Sequence, residues 1–283
     1  MQQGSVIREQ TEHCATRRTC HTIPNDRLVE RLVTIAKPGY DDLRAPATAI
    51  PMLGNVLIIG GSASIAPEII AAFAAGARHV DVTYRHPLPP ALDGNIAAHT
   101  CDLEDKDSRR GLVAALADLT GIVDVVLVLS GSILGKNLES TSDEEMDHLV
   151  SVNLLGPARL LRDLLPVLNA GARILLVSSI AGERGSFDPM YAATKGALIP
   201  FAKSLATWLG KRMTVTVVAP GAIEDSTMVR DMDAERIAHH RNASPIGELL
   251  SRADLARVLF DLAHSHWRHA NGAVIRINGG SYV

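Results

Sequence analysis

Tyr191 and Lys195 stand four residues apart in Tyr191-Ala-Ala-Thr-Lys195, and Ser179 closes the segment GARILLVSS twelve residues before the tyrosine. An i, i+4 pair shares one face of a helix. A free phenol titrates near pH 10, so proton transfer by Tyr191 at neutral pH calls for stabilisation of the phenolate by roughly 4 kcal/mol. A lysine ammonium on the same helix face supplies stabilisation of that sign. The predicted chemistry is acid/base work by a tyrosine.

A second set of residues suits a dinucleotide. The run Asn-Val-Leu-Ile-Ile leads into Gly60-Gly61-Ser62-Ala63-Ser64-Ile65-Ala66-Pro67 and then EIIAAFAAGA. A turn of small residues lets backbone N–H groups and a helix N-terminus face a pyrophosphate, and Pro67 suits the first helical turn. The same turn also serves plain helix-to-sheet packing. The next strand ends in Val82-Thr83-Tyr84-Arg85, without the acid that usually meets an adenosine ribose 2′-hydroxyl and with a cation beside its place. This favours a 2′-phosphate, hence NADP over NAD, unless Arg85 is only a surface loop residue. In Cys101-Asp102-Leu103, Asp102 either accepts from the adenine amine or caps a helix.

The elements that must position these residues follow from composition and pattern. The chain has 283 residues, 47% hydrophobic and 21% charged, enough for a substantial core. A formal charge of -3 gives no broad attraction for nucleic acid or anionic lipid. No stretch approaches the ~20 apolar residues of a membrane span, and the N-terminus lacks a secretion signal's apolar core. A cytoplasmic protein with reduced thiols at Cys14, Cys20 and Cys101 is expected. No metal is expected, because His13, Cys14, Cys20 and His21 match no familiar zinc spacing and His264, His266 and His269 do not share a helix face.

From residue 55 onward, β-branched runs alternate with helical patterns. Strands are predicted at 55–60, 79–84, 96–101, 123–129, 172–178, 213–218 and 273–277. The fold class is α/β: a single domain over 52–283 built on a doubly wound, parallel, seven-stranded Rossmann-type sheet. Ligands then bind at the carboxyl ends of the strands, where strand order reverses. Residues 1–51, with Pro38, Pro46 and Pro51 at their exit and one amphipathic stretch at 26–36, read as a largely mobile extension. Met52 closes it, and every motif lies beyond.

Six motifs in order, over about residues 53 to 281, resemble the short-chain dehydrogenase/reductase family: the Gly60-Gly61 loop, Asp102, Ser151-Val152-Asn153-Leu154-Leu155-Gly156, Ser178-Ser179, Tyr191 to Lys195, and Pro220-Gly221. Asn278-Gly279-Gly280 also matches. The resemblance implies that Tyr191 is the general acid/base and Ser179 holds the carbonyl or alcohol oxygen. Lys195 would bind the nicotinamide ribose and lower the tyrosine pKa, and Asn153 would anchor a proton-relaying water. The cofactor would lie against Gly60, Ser62, Ser64 and Ile65, then Arg85, Asp102 and Leu103, then Ser130 and Gly131. Tyr191, Lys195, Pro220, Gly221 and Ile223 would complete its site. A homo-oligomer, dimer or tetramer, is implied as well.

This sequence departs from the family pattern in two places. The loop usually reads Thr-Gly-x-x-x-Gly-x-Gly, whereas Ile59, Ser64 and Ala66 stand here for Thr and the last two glycines. Ser64 puts a side chain where backbone approaches phosphate. The Asn-Asn-Ala-Gly run after the fourth strand reads Val128-Leu129-Ser130-Gly131, without the amides that brace neighbouring strands. The segment 224–244 falls where the family places a substrate lid, with Met228, Met232, His239 and His240 to cover an apolar ketone and Arg230 or Arg241 to meet an anionic one. The expected function is hydride transfer between NADP(H), or NAD(H), and a small-molecule ketone or secondary alcohol. The rival reading is a catalytically silent nucleotide-binding regulator or scaffold.

Overall fold

Runs of Val, Ile and Leu cannot present one polar face to water, so they form strands covered on both sides. The computed structural model describes residues 51–85, 94–119 and 122–283. The expected extension, apart from Pro51, and the set His13, Cys14, Cys20 and His21 lie outside the described residues. The seven expected strands are β1 (Leu53–Ile59), β2 (Ala77–Tyr84), β3 (Ile96–Thr100), β4 (Val123–Val128), β5 (Leu168–Val177), β6 (Thr214–Pro220) and β7 (Val274–Ile277). They pair in the order β3-β2-β1-β4-β5-β6-β7, all parallel.

The connecting helices are α1 (Ala66–Gly76), α2 (Lys106–Leu119), α3 (Asp143–Val150), α4 (Gly156–Leu164), α5 (Pro189–Leu209), α6 (Ala234–Ala243) and α7 (Arg252–Leu262). Their starts are written locally. Ser142 and Glu145 form a reciprocal capping box on α3, while Asp188, Asp233 and Ser251 accept from the first turns of α5, α6 and α7. Between α3 and α4, Ser151–Leu155 form one π-helical turn closed by the Gly156 N–H on Ser151 O.

Alternation along β1 sends Leu57 and Ile59 to one core and Val56 and Ile58 to the other. The first core includes Leu116, Leu160, Leu164 and Ala202 from α2, α4 and α5, and the second includes Ile69, Phe73, Leu255 and Leu259 from α1 and α7. Each fully buried large side chain contributes roughly 1.5–3 kcal/mol. Strand order reverses between β1 and β4. There the Leu129 N–H donates to Ile59 O at 2.8 Å and continues the pairing to the carboxyl ends of the strands, where such a topology favours a ligand crevice.

Candidate active site

The turn after β1 is held open by glycine. Gly60 has φ +98°, and a Cβ there would lie 2.7 Å from the Ser130 nitrogen, so conformation and space both demand glycine. Its N–H donates to Thr83 Oγ1 at 3.1 Å and the Gly61 N–H to Thr83 O at 2.7 Å. Ile65 at the N-cap of α1 supplies no side-chain acceptor for the helix's first N–H groups. Ser64 takes the place of a family glycine without needing glycine's backbone freedom. Among described non-glycine residues only Asp225 has a left-handed φ, so Ser64 is not strained where glycine would be easier. Its hydroxyl accepts from the Thr227 N–H at 2.9 Å, and its carbonyl accepts from Arg252 at 3.2 Å.

At the ends of β2 and β3, Arg85 Nε lies 3.2 Å from Asp102 Oδ2 and its Nη2 lies 3.5 Å from Glu104 Oε2, with the guanidinium half exposed. Asp102 does not cap α2. Its Oδ1 accepts from the Glu104 N–H, and Asp105 Oδ1 accepts from Asp107 and Ser108 at the helix start. Arg85, Asp102, Leu103, Gly60, Ser130 and Gly131 line one cavity of about 280 Å³. Cys101 also lines it, with its thiol pushed up to about 11 by burial, and so is a poor nucleophile.

That cavity shares Ser62, Ala63, Gly131 and Ser132 with a larger one of about 610 Å³. The larger cavity is walled by Ser64, Ile65, Ser179, Tyr191 and Lys195 together with Pro220, Gly221 and Ile223. Every residue expected to bind cofactor therefore borders one connected crevice. Asn153 alone of the expected site residues stands behind it. Asn153 is fully buried in the π-turn, accepts from the Ser132 N–H at 2.7 Å and donates to Ser132 O and Thr194 Oγ1, both at 2.9 Å. It thereby ties the segment after β4 to α5.

The end of β5 is seated on α5 by close backbone contact. Ser178 Oγ donates to Lys195 O at 2.7 Å, and a Cβ on Gly182 would lie 2.6 Å from the Gly196 nitrogen. Lys195 is buried, its Nζ donates to Val177 O at 3.0 Å and Ser130 O at 3.3 Å, and burial lowers its pKa to about 8. The Tyr191 pKa moves opposite to expectation. Burial lifts the phenol above its ordinary value and outweighs the hydrogen bond from Ser179, with the nearby Asp188 charge adding to the rise. The shift favours the protonated phenol.

Three features escaped the sequence reading. Asp188 Oδ1 accepts from the Tyr191 N–H at 2.8 Å, while its Oδ2 accepts from Leu134 and Gly135 N–H groups at 3.0 Å each. Asp-Pro at a helix start is a signal that could have found it. A Cβ on Gly131 would lie 2.7 Å from Lys195 Nζ, so that glycine makes room for the lysine. In the segment expected to form a lid, Met228, Met232, His239 and His240 line the cavity, but Arg230 and Arg241, exposed like Arg184 and Arg236, are off its wall. Arg184 and Arg236 are on the wall instead.

A parallel seven-stranded sheet with this crevice defines a dinucleotide-binding oxidoreductase fold. Residues 61–282 match the family model described as enoyl-(acyl carrier protein) reductase. The chain is 30% identical over 231 residues to 3-oxoacyl-[acyl-carrier-protein] reductase MabA of Mycobacterium tuberculosis, covering 80% of this chain and 92% of that protein. It is 28% identical over 236 residues to the Escherichia coli 3-oxoacyl-[acyl-carrier-protein] reductase FabG, covering 80% and 96%. A Brucella melitensis short-chain dehydrogenase/reductase structure superposes with TM-score 0.76 at 24% identity, covering 83% of this chain and 99% of that one, a likeness of fold. The chain belongs to the short-chain dehydrogenase/reductase family. It is an NAD(P)-dependent oxidoreductase acting on CH–OH or C=O groups. Among the described residues no helix is long and apolar enough to cross a membrane.

Proposed function

We propose that this chain reduces a ketone to a secondary alcohol with NADP(H), in the manner of a 3-oxoacyl reductase. The observation that carries the reading is the convergence of Ser179, Tyr191 and Lys195 on the wall of the 610 Å³ cavity, where burial raises the Tyr191 pKa. A phenol that keeps its proton is suited to give it to a carbonyl oxygen, which favours reduction. The MabA and FabG relatives, named as 3-oxoacyl-[acyl-carrier-protein] reductases, support reduction of a ketone.

The crevice fits a nicotinamide dinucleotide on its own chemistry. Ser130 Oγ is buried without a partner among the described residues, the Gly60 turn leaves a cradle that a Cβ would fill, and α1 begins without a side-chain cap. Gly60, Ser62, Ser64 and Ile65 would hold the pyrophosphate, with Ser130, Asp102 and Leu103 at the adenosine and Pro220, Gly221 and Ile223 at the nicotinamide. Arg85 would meet the 2′-phosphate. The bound nicotinamide supplies the hydride.

Ser179 Oγ donates to the substrate oxygen and orients it, and the Tyr191 hydroxyl gives that oxygen its proton. Lys195, charged at neutral pH because its pKa stands at about 8, stabilises the phenolate left behind. Asn153 fixes the Ser132 backbone opposite α5 and would anchor the water that returns a proton toward Lys195. Tyr191→Phe keeps the ring and deletes the proton, so NADPH oxidation across a ketone panel should fall at least ~10²-fold while cofactor affinity changes little. Near-normal turnover would remove Tyr191 from this role.

A further inference from the structure

Part of the wall of the large cavity carries two exposed guanidiniums without a carboxylate partner among the described residues, beside two histidines. Arg184, just after the end of β5, and Arg236, His239 and His240, on α6, all line it. Among the described residues, neither guanidinium has a carboxylate within 4 Å; the acids beside them are committed elsewhere. Glu183 pairs with Arg276 at 2.6 Å. Asp233 accepts from the Arg236 backbone N–H as the cap of α6. Asp188, the one carboxylate on the cavity wall, is buried and spent on three backbone N–H groups. Glu248 shares a crevice of about 20 Å³ with Arg184 and His240 but makes no ion pair with Arg184.

The cations crowd one another. The proton affinity of His240 is held down first by burial and then by Arg184, His239 and Arg236, so His240 offers a neutral ring while the two guanidiniums carry the charge. A cleft lined by one sign of charge focuses its field on an incoming ion. A guanidinium meets a carboxylate through two parallel N–H donors, a match a neutral group cannot reproduce. Met228 and Met232 line the same cavity and give an adaptable apolar surface.

Resting on the reading of this site as a ketone reductase, we propose that its substrate is a ketone carrying its own carboxylate, received by Arg184 and Arg236, with Met228 and Met232 along the carbon chain. The site thus selects an oxo acid over a neutral ketone of the same shape.

The test is calorimetric titration of the NADP+-loaded enzyme with levulinate and its longer homologues, each paired with its carboxamide. The best carboxylate should bind at least about tenfold tighter than its amide. In the Arg184→Gln/Arg236→Gln double variant that ratio should fall to near one, with the Arg236→Lys single variant in between and cofactor binding confirming that each variant is folded. An amide bound as tightly as its carboxylate, no binding of any carboxylate, or a preference that survives the double substitution would overturn the proposal. NADPH oxidation with the same compounds separates the two readings. Selective binding without turnover would leave the carboxylate site standing and sink the reductase, whereas turnover that ignores the carboxylate would do the reverse.

Discussion

The Ser64 hydroxyl accepts a hydrogen bond of 2.9 Å from the backbone N–H of Thr227, joining the turn after β1 to the first helical residue of the lid across 163 positions of sequence. The proposed cofactor turn and substrate cover are thereby one linked unit. Ser64→Gly breaks the link and relieves no backbone strain, since Ser64 is outside the left-handed region. NADPH should bind two- to fivefold more weakly, about 0.5–1 kcal/mol for an exposed hydrogen bond. Ser64→Ala should match it in a fluorescence titration, and tighter binding by the glycine variant alone would show strain after all.

Gly131 sets the position of the proposed lysine. A methyl group there would intrude to 2.7 Å of Lys195 Nζ and 3.1 Å of its Cε. Only a side-chain terminus has to move, so Gly131→Ala should melt close to the wild type. Turnover should nonetheless drop roughly tenfold to a hundredfold, the scale of a displacement near 1 Å at a reacting site. Unchanged kcat beside an unchanged melting temperature would mean that the Nζ position is not critical.

Glu104 competes for the cation proposed to read the cofactor. Its carboxylate lies 3.5 Å from Arg85, a half-exposed pair of small net worth. A 2′-phosphate on the same guanidinium is worth roughly 1.5–3 kcal/mol. Arg85→Ala should therefore weaken NADPH far more than NADH, and Glu104→Gln should tighten NADPH while leaving NADH nearly unchanged. Parallel dissociation constants for the two cofactors check both, and equal losses for NADH and NADPH in Arg85→Ala would refute the assignment.

Burial of Lys195 makes stability depend on pH in a stated direction. Its folded pKa of about 8 lies below its ordinary 10.5, so between those values the unfolded chain binds more protons and stability rises with pH. The buried Cys101 thiol, raised from 9.0 to about 11, works the other way above about pH 9, and Tyr191 does so above about pH 10. Urea unfolding at about pH 8 and pH 9 should show a gain from Lys195 near 1 kcal/mol. Lys195→Met should abolish that gain, and an equal rise in the variant would place its source elsewhere.

The strands were legible because a covered parallel sheet must be written in Val, Ile and Leu, and the Tyr191 and Lys195 pair because an i, i+4 relation is local. The early start of β5 at Leu168 was not legible, since it rests on backbone pairing with Val123 through a Gly171 of left-handed φ rather than on any side-chain pattern. The Tyr191 pKa is a sum over burial and neighbours that only the folded chain defines. The lid sequence pointed to Arg230 and Arg241 and passed over Arg236. The rotation of α6, which nothing in its composition specifies, decides which of its cations faces the cavity.

Asp188 couples two properties that selection would otherwise tune apart. One carboxylate sets the first turn of the helix bearing Tyr191 and the course of the Leu134-Gly135 backbone. Insertions or deletions in the loop around 134 and 135 will tug on the tyrosine, so new specificities are more accessible through the lid than through that loop. Within 224–244, changes in Met, His and Arg would leave the hold of Asp188 on Tyr191 untouched.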